Sequence, residues 1–165
     1  MGIGRRGRPK GSVGKAAILS SADIRNAVSV VRRRTKNSSR DELLILMSID
    51  LGLRATELSS VFCSDVFDSD GNVSKGMLVR RRVGCHFVAL ASERLRSALA
   101  DFFEGHLSAC QALDQLPLFR SQRSERLSPM SIAKLLTHLY REAGVASGSS
   151  RSGRRTLLSR ERKTN

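Results

Sequence analysis

Apolar residues fall at helical spacing along most of this chain, interrupted once by a short stretch that alternates. A helix is predicted over roughly 21–34, capped by Ser20 or Ser21. Ile24, Val28 and Val31 share one of its faces, and Arg32-Arg33-Arg34 stand at its C-terminal end, where cations suit the helix dipole. A second helix begins at Ser39-Arg40-Asp41-Glu42, a capping-box pattern, and runs on through Leu43-Leu44-Ile45-Leu46-Met47. A helix that is apolar all round has no face for solvent, so this one is expected to be central and buried, with Gly52 ending it. A third helix follows the turn at Arg54, with Leu58 and Val61 inward. From about residue 73 the period changes. Met77-Leu78-Val79 and Phe87-Val88-Ala89-Leu90 read as two short strands around a turn containing Val83-Gly84, and this hairpin carries Arg80-Arg81-Arg82. Helical spacing returns over roughly 92–104, through Leu95, Leu99, Phe102 and Phe103. Leu118-Phe119 leads into a polar loop, Arg120 to Arg126. Ser128-Pro129 then opens a helix with Ile132, Leu135, Leu136 and Leu139 on one side and Gly144 at its close. A last helix starts near Ser152. The expected fold is mainly α with a small antiparallel β-hairpin, an α+β domain over 18–165, without internal repeats.

Charge is distributed unevenly over this plan. Residues 1–40 hold 11 Lys/Arg against one acid, Asp23, and residues 146–165 hold 6 against one, Glu161. The formal net charge of the 165-residue chain is +14, so the stretch between is nearly neutral. A neutral body with two cationic ends points to a polyanion, nucleic acid first. No segment approaches the roughly 20 apolar residues that a bilayer span requires, and the N-terminus lacks a signal-peptide apolar region; a membrane is not an expected partner, and a cytoplasmic, nucleoid-associated location is. RNA binding is disfavoured by one Tyr, six Phe and no Trp, the Phe mostly in core-like contexts, which leave little for base stacking.

Cys63, Cys85 and Cys110 are widely spaced, with no CxxC pair. They read as buried free thiols rather than a zinc site or disulfide framework. His86, His106 and His138 are scattered, and neither a metal nor another cofactor is expected.

Residues 1–17 are rich in Gly, Arg and Lys without apolar period, and are expected to form a disordered basic arm. Within it, Arg6-Gly7-Arg8-Pro9-Lys10-Gly11-Ser12 resembles the core of an AT-hook. Pro9 fixes an extended backbone, Gly7 allows close approach, and Arg6, Arg8 and Lys10 would either enter an A·T minor groove or hold phosphates without sequence preference.

Two further strings carry chemistry. Gly52-Leu53-Arg54-Ala55-Thr56-Glu57-Leu58 and Ser150-Arg151-Ser152-Gly153-Arg154-Arg155-Thr156 lie about a hundred residues apart. They resemble the first and second arginine boxes of the tyrosine recombinase (phage integrase) family, the second usually written His-x-x-Arg-[His/Arg]-Thr. The order of helices, hairpin and Ser-Pro helix between them is similar to that family's catalytic domain, over roughly residues 18–160. The resemblance implies DNA integration and site-specific recombination on double-stranded DNA, by a tyrosine hydroxyl that cuts and rejoins strands without metal or nucleotide. Arg54 and Arg154 would then clamp the phosphoryl group, since a guanidinium offers permanent charge and a planar fork of donors. Glu57 would orient the Arg54 guanidinium, and Arg155 would contact DNA.

Several family positions are filled differently. The box-two histidine falls on Arg151, which cannot serve as a base, and the hairpin lysine on Arg81 or Arg82. Lys75 is the nearest lysine, ahead of the first strand. The family's tyrosine stands well downstream of the second arginine, whereas the 11 residues after Arg154 hold neither Tyr nor His. Tyr140, the one tyrosine, has Leu136 and Leu139 as neighbours and is expected in the core. A truncated recombinase unable to cleave alone is therefore one expectation, with a full-length recombinase or a second copy as partner. A noncatalytic DNA-binding protein, or an accessory regulating a full-length recombinase, is the other.

Overall fold

Eight of the thirteen residues of the helix Ser38–Asp50 are buried, including the whole run from Leu43 to Ile49. The other elements are arranged about it. In the computed structural model, which describes residues 15–164 apart from 35, 122, 124 and 125, the order is α1 (Ser21–Arg32), α2 (Ser38–Asp50), α3 (Ala55–Ser59), α4 (Cys63–Val66), β1 (Gly76–Arg80), β2 (Cys85–Ala89), α5 (Glu93–His106), a 3-10 turn at Leu113–Gln115, α6 (Pro129–Glu142) and α7 (Ser152–Thr164). α1, α5 and α7 pack against α2, and α6 packs against α1 and α3. Each buried Leu or Ile on α2 stabilises this arrangement by about 1.5–3 kcal/mol relative to exposure, which explains why the least polar helix takes the middle. The AT-hook-like residues Arg6, Arg8 and Lys10 lie outside the described residues.

The expected helices form with boundaries shifted by a residue or two. At α1 the Ser20 hydroxyl accepts the Asp23 N–H at 3.1 Å while the Asp23 carboxylate accepts the Ser20 N–H at 2.8 Å, a closed capping box. The box expected at Ser39 does not form. α2 starts one residue earlier, behind Asn37 in the left-handed region (φ 57°), and no side chain caps it. Glu42, the acid of that box, pairs with Arg32 at 2.7 Å, while Asp41 turns inward, 1% exposed, and pairs with Arg40 at 2.7 Å and Arg34 at 3.8 Å. Burial pushes its carboxyl above the ordinary range, and the Arg40 hydrogen bond opposes that.

The hairpin is antiparallel, with Met77 opposite Val88, Leu78 opposite Phe87 and Val79 opposite His86. Met77 and Val79 face the core, whereas Leu78 and Phe87 are exposed, so Phe87 departs from the expected core-like context. Two additions had no signal in the sequence: the short helix α4, and a bridge between Phe62 and Pro117 that draws the chain after α3 against the segment before α6. Only Cys63 of the three cysteines is buried; Cys85 and Cys110 are exposed, correcting that expectation. Cys85 follows the turn residue Gly84 and shares the outward side of β2 with Phe87 and Ala89, because successive strand residues alternate faces.

Candidate functional site

The site is built where α2 ends. Gly52 (φ +62°) turns the chain, and a Cβ there would stand 2.8 Å from a Leu157 methyl as well as requiring a backbone that side chains disfavour. Leu53 is buried, which leaves Arg54 outward in extended conformation (φ −80°, ψ 159°) as the residue entering α3. α7 reaches the same end of α2 from the far part of the chain. Gly153 allows this: a Cβ would lie 2.2 Å from Ser48 Oγ and 2.5 Å from the Ser48 carbonyl oxygen. Arg154 then donates from Nη1 to the Gly52 carbonyl oxygen at 3.0 Å, spanning 102 residues.

The two arginine boxes accordingly meet. Arg54, Thr56, Ser150, Arg151 and Arg154 line one pocket of about 710 Å³, with Met130 and Ala133 of α6 as its apolar wall. The guanidinium groups of Arg54 and Arg151 have no hydrogen-bond or ion-pair partner among the described residues, and the Arg154 guanidinium has one, the Gly52 carbonyl. A second pocket of about 530 Å³ opens on the other side of Arg54, lined also by Thr56, Glu57, Ser60 and the hairpin arginines Arg80, Arg81 and Arg82. Lys75 stands at the opposite end of β1 from those arginines, in neither pocket.

Glu57 takes a different role from the one the resemblance implied. Its buried carboxylate accepts the backbone N–H of Arg54 at 2.8 Å through Oε2 and the Arg81 Nε–H at 3.0 Å through Oε1. It therefore fixes the start of α3 and aims the hairpin arginine, while the Arg54 guanidinium stays exposed and unpaired. Arg81 also meets His86 Nε2 at 3.0 Å. A guanidinium only donates, so Nε2 accepts and the imidazole proton sits on Nδ1, a buried atom without a partner among the described residues. Arg80 is spent on a bidentate pair with Asp65, whereas Arg82 has no partner among the described residues. His86 and Thr56 were not singled out from the sequence; Thr56 lies inside the first arginine string without a role of its own, and only the hairpin register brings His86 beside Arg81.

Two other residues have different work. Arg155 is half-buried and donates to the Ala16 carbonyl, and the Ala17 N–H reaches Ser147 O at 3.2 Å, so the last residues before α1 are tied to the body. Tyr140 is fully buried on α6, its hydroxyl 3.5 Å from Ser48 Oγ, and burial pushes its phenol up to about 12. It stays protonated in the core, as expected. Among the described residues no group of three or more His, Cys, Asp or Glu is placed to hold a metal ion, and no helix is long and apolar enough to cross a membrane.

No protein-family model and no curated protein matches this chain. Its structure is similar to that of XerA recombinase, at TM-score 0.72 and 20% identity, over 92% of this chain and 53% of that one. An integrase from mycobacterium phage Brujita matches at TM-score 0.62 and 21% identity, over 95% and 47%. The Tn1549 transposon integrase in complex with transposon right end DNA matches at TM-score 0.60 and 15% identity, over 93% and 56%. The chain thus spans about half the length of the structures it matches. In fold, this chain is a tyrosine-recombinase catalytic-domain-like unit, in agreement with its two arginine boxes.

Proposed function

We propose that this chain grips the backbone of double-stranded DNA through the pocket between Arg54, Arg151 and Arg154, as part of a system of DNA integration and site-specific recombination. One observation carries the reading: two permanent cations, Arg54 and Arg151, are unpaired among the described residues beside a third, Arg154, that is only partly satisfied, in one concave site. Charges left without a partner at that density want an anion, and a phosphodiester matches the fork of a guanidinium. The fold shared with recombinases and integrases, one of them in complex with DNA, supplies the second support. The partner is DNA in the cytoplasm, at the nucleoid, with the basic residues Arg6, Arg8 and Lys10 adding contacts.

The chain is proposed to hold this phosphate without cleaving it alone. Tyr140 is buried and protonated, Arg151 replaces a proton acceptor, and Arg81 replaces a proton donor of useful acidity. A nucleophile would have to come from another polypeptide or from residues beyond those given. The same replacements favour the second reading, a noncatalytic DNA-binding accessory to a full-length recombinase: what is kept binds phosphate, and what is changed moves protons.

Two measurements test this. Binding to a duplex at about 50 mM salt should weaken steeply as salt rises, with a slope near −0.9 per phosphate neutralised. No binding under those conditions refutes the function. Incubation with a nicked suicide duplex should leave no covalent protein–DNA adduct; an adduct refutes the noncleaving part.

A further inference from the structure

The resemblance implies one phosphate clamp, Arg54 with Arg154, but the arginines around Arg54 fall into two groups. Arg54 and Thr56 form a shared wall, with Arg151 and Arg154 on one side and Arg81 and Arg82 on the other. We propose that the hairpin side is a second phosphate subsite, so that a strand is held at two phosphodiesters with Arg54 between them. This rests on the DNA-binding reading above and specifies its ligand.

Three features of the hairpin pocket support it. Its one carboxylate, Glu57, is already engaged, one oxygen by the Arg54 N–H and the other by Arg81, and its single negative charge is matched by the Arg81 guanidinium. Arg80 is neutralised by Asp65 outside the lining, which leaves Arg82, Arg54 and the remaining Arg81 donors for an anion. Arg81 is held in advance by two protein acceptors, Glu57 and His86, at 3.0 Å each, and the Ser60 hydroxyl is bonded to the Glu57 carbonyl at 2.8 Å. A donor fixed before its ligand arrives loses little freedom on binding, which is how a dedicated anion site differs from a solvated cationic loop. A single phosphodiester presents two nonbridging oxygens. Arg54, Arg151 and Arg154 already supply more donors than these accept, so Arg81 and Arg82 would be redundant on the same group.

The experiment is a double-mutant cycle in duplex binding with Arg82→Gln and Arg151→Gln in the full chain. Both side chains are exposed and unbonded among the described residues, so the fold should persist, checked by circular dichroism. Each single variant should reduce the salt slope by about one phosphate equivalent, and the pair by about two. The fold-losses in affinity should multiply to within a factor of about two, as independent sites require. A double variant scarcely weaker than either single one places both arginines on one phosphate and overturns the proposal. A second measurement needs no DNA: titration with inorganic phosphate, followed by NMR at the arginine Nε–Hε signals. Arg81 and Arg82 should shift together, with a midpoint that Arg151→Gln leaves in place, and the His86 ring should show its proton on Nδ1. Phosphate that moves Arg154 but neither Arg81 nor Arg82 overturns the second subsite and leaves the DNA-binding reading standing. Should the duplex fail to bind at all, that reading falls, and the phosphate titration alone decides the subsite.

Discussion

Glu57 lines the hairpin pocket and holds the backbone of Arg54, which borders both pockets, so its replacement gives the most direct check on how the site is held. Glu57→Gln is nearly isosteric and leaves one oxygen, enough for the Arg54 N–H that Oε2 now accepts at 2.8 Å. The amide NH₂ then faces the Arg81 Nε–H, donor against donor. A hydrogen bond to a charged group contributes about 1.5–3 kcal/mol, but the Arg81 side chain is 41% exposed and water takes over part of it. The expected loss is about 1 kcal/mol, or roughly 2–4 °C in Tm for a chain of this size. Glu57→Ala removes both acceptors, strands the part-buried Arg54 N–H and leaves a void at a residue only 3% exposed. That variant should lose about 2–4 kcal/mol, or roughly 4–16 °C. Thermal and urea unfolding by circular dichroism measure both, and fluorescence anisotropy with a labelled duplex should show weaker binding for both, since Arg81 is no longer aimed. Equal stability of the two variants, or a Glu57→Ala protein within about 0.3 kcal/mol of the parent, would refute the assigned role.

Arg54→Ala should weaken duplex binding and lower the salt slope by about one while leaving Tm within roughly 2 °C, because its guanidinium bonds to nothing among the described residues; salt titrations and melting curves check the pair. Gly153→Ala should cost about 2 kcal/mol or more by urea unfolding, since the new methyl meets the Ser48 carbonyl at 2.5 Å and neither helix backbone can yield cheaply. The Tyr140 phenol is raised to about 12 in the folded chain, whereas unfolded it titrates near 10. Its contribution is therefore complete below about pH 10 and is lost as pH rises towards 12, and Tyr140→Phe should flatten that alkaline fall in stability. A thiol reagent should modify Cys85 and Cys110 quickly and Cys63 only on unfolding, because Cys63 is buried and its thiol is pushed up to about 12.

Periodicity made most of the helices legible. α2 was placed at the centre because Leu43 to Met47 offer no polar side, and α6 because Ile132, Leu136 and Leu139 recur at helical spacing behind a Ser-Pro start. The meeting of Arg54 with Arg154 was legible only through the paired boxes; nothing local to either string encodes the other. What the sequence concealed depends on partners distant in the chain. Glu57 looked like a neighbour of Arg54 one turn away, yet its second oxygen goes to Arg81, 24 residues on. α4 is a single turn, too short to display a period, and is set by Asp65 accepting the Phe62 N–H at 2.7 Å. The capping signal at Ser39 misled because its acid, Glu42, pairs with Arg32 of α1 at 2.7 Å, which no cap preference anticipates.

The hydrogen bond from Arg154 to the Gly52 carbonyl crosses 102 residues, and it sets a timetable for the ribosome. At about 5–20 residues per second, Gly52 and Arg54 are made roughly 5–20 s before Arg154 exists. Through that interval the nascent chain has only half a grip. On the proposed function, a growing polypeptide gains this phosphate grip only once α7 has emerged and closed against α2.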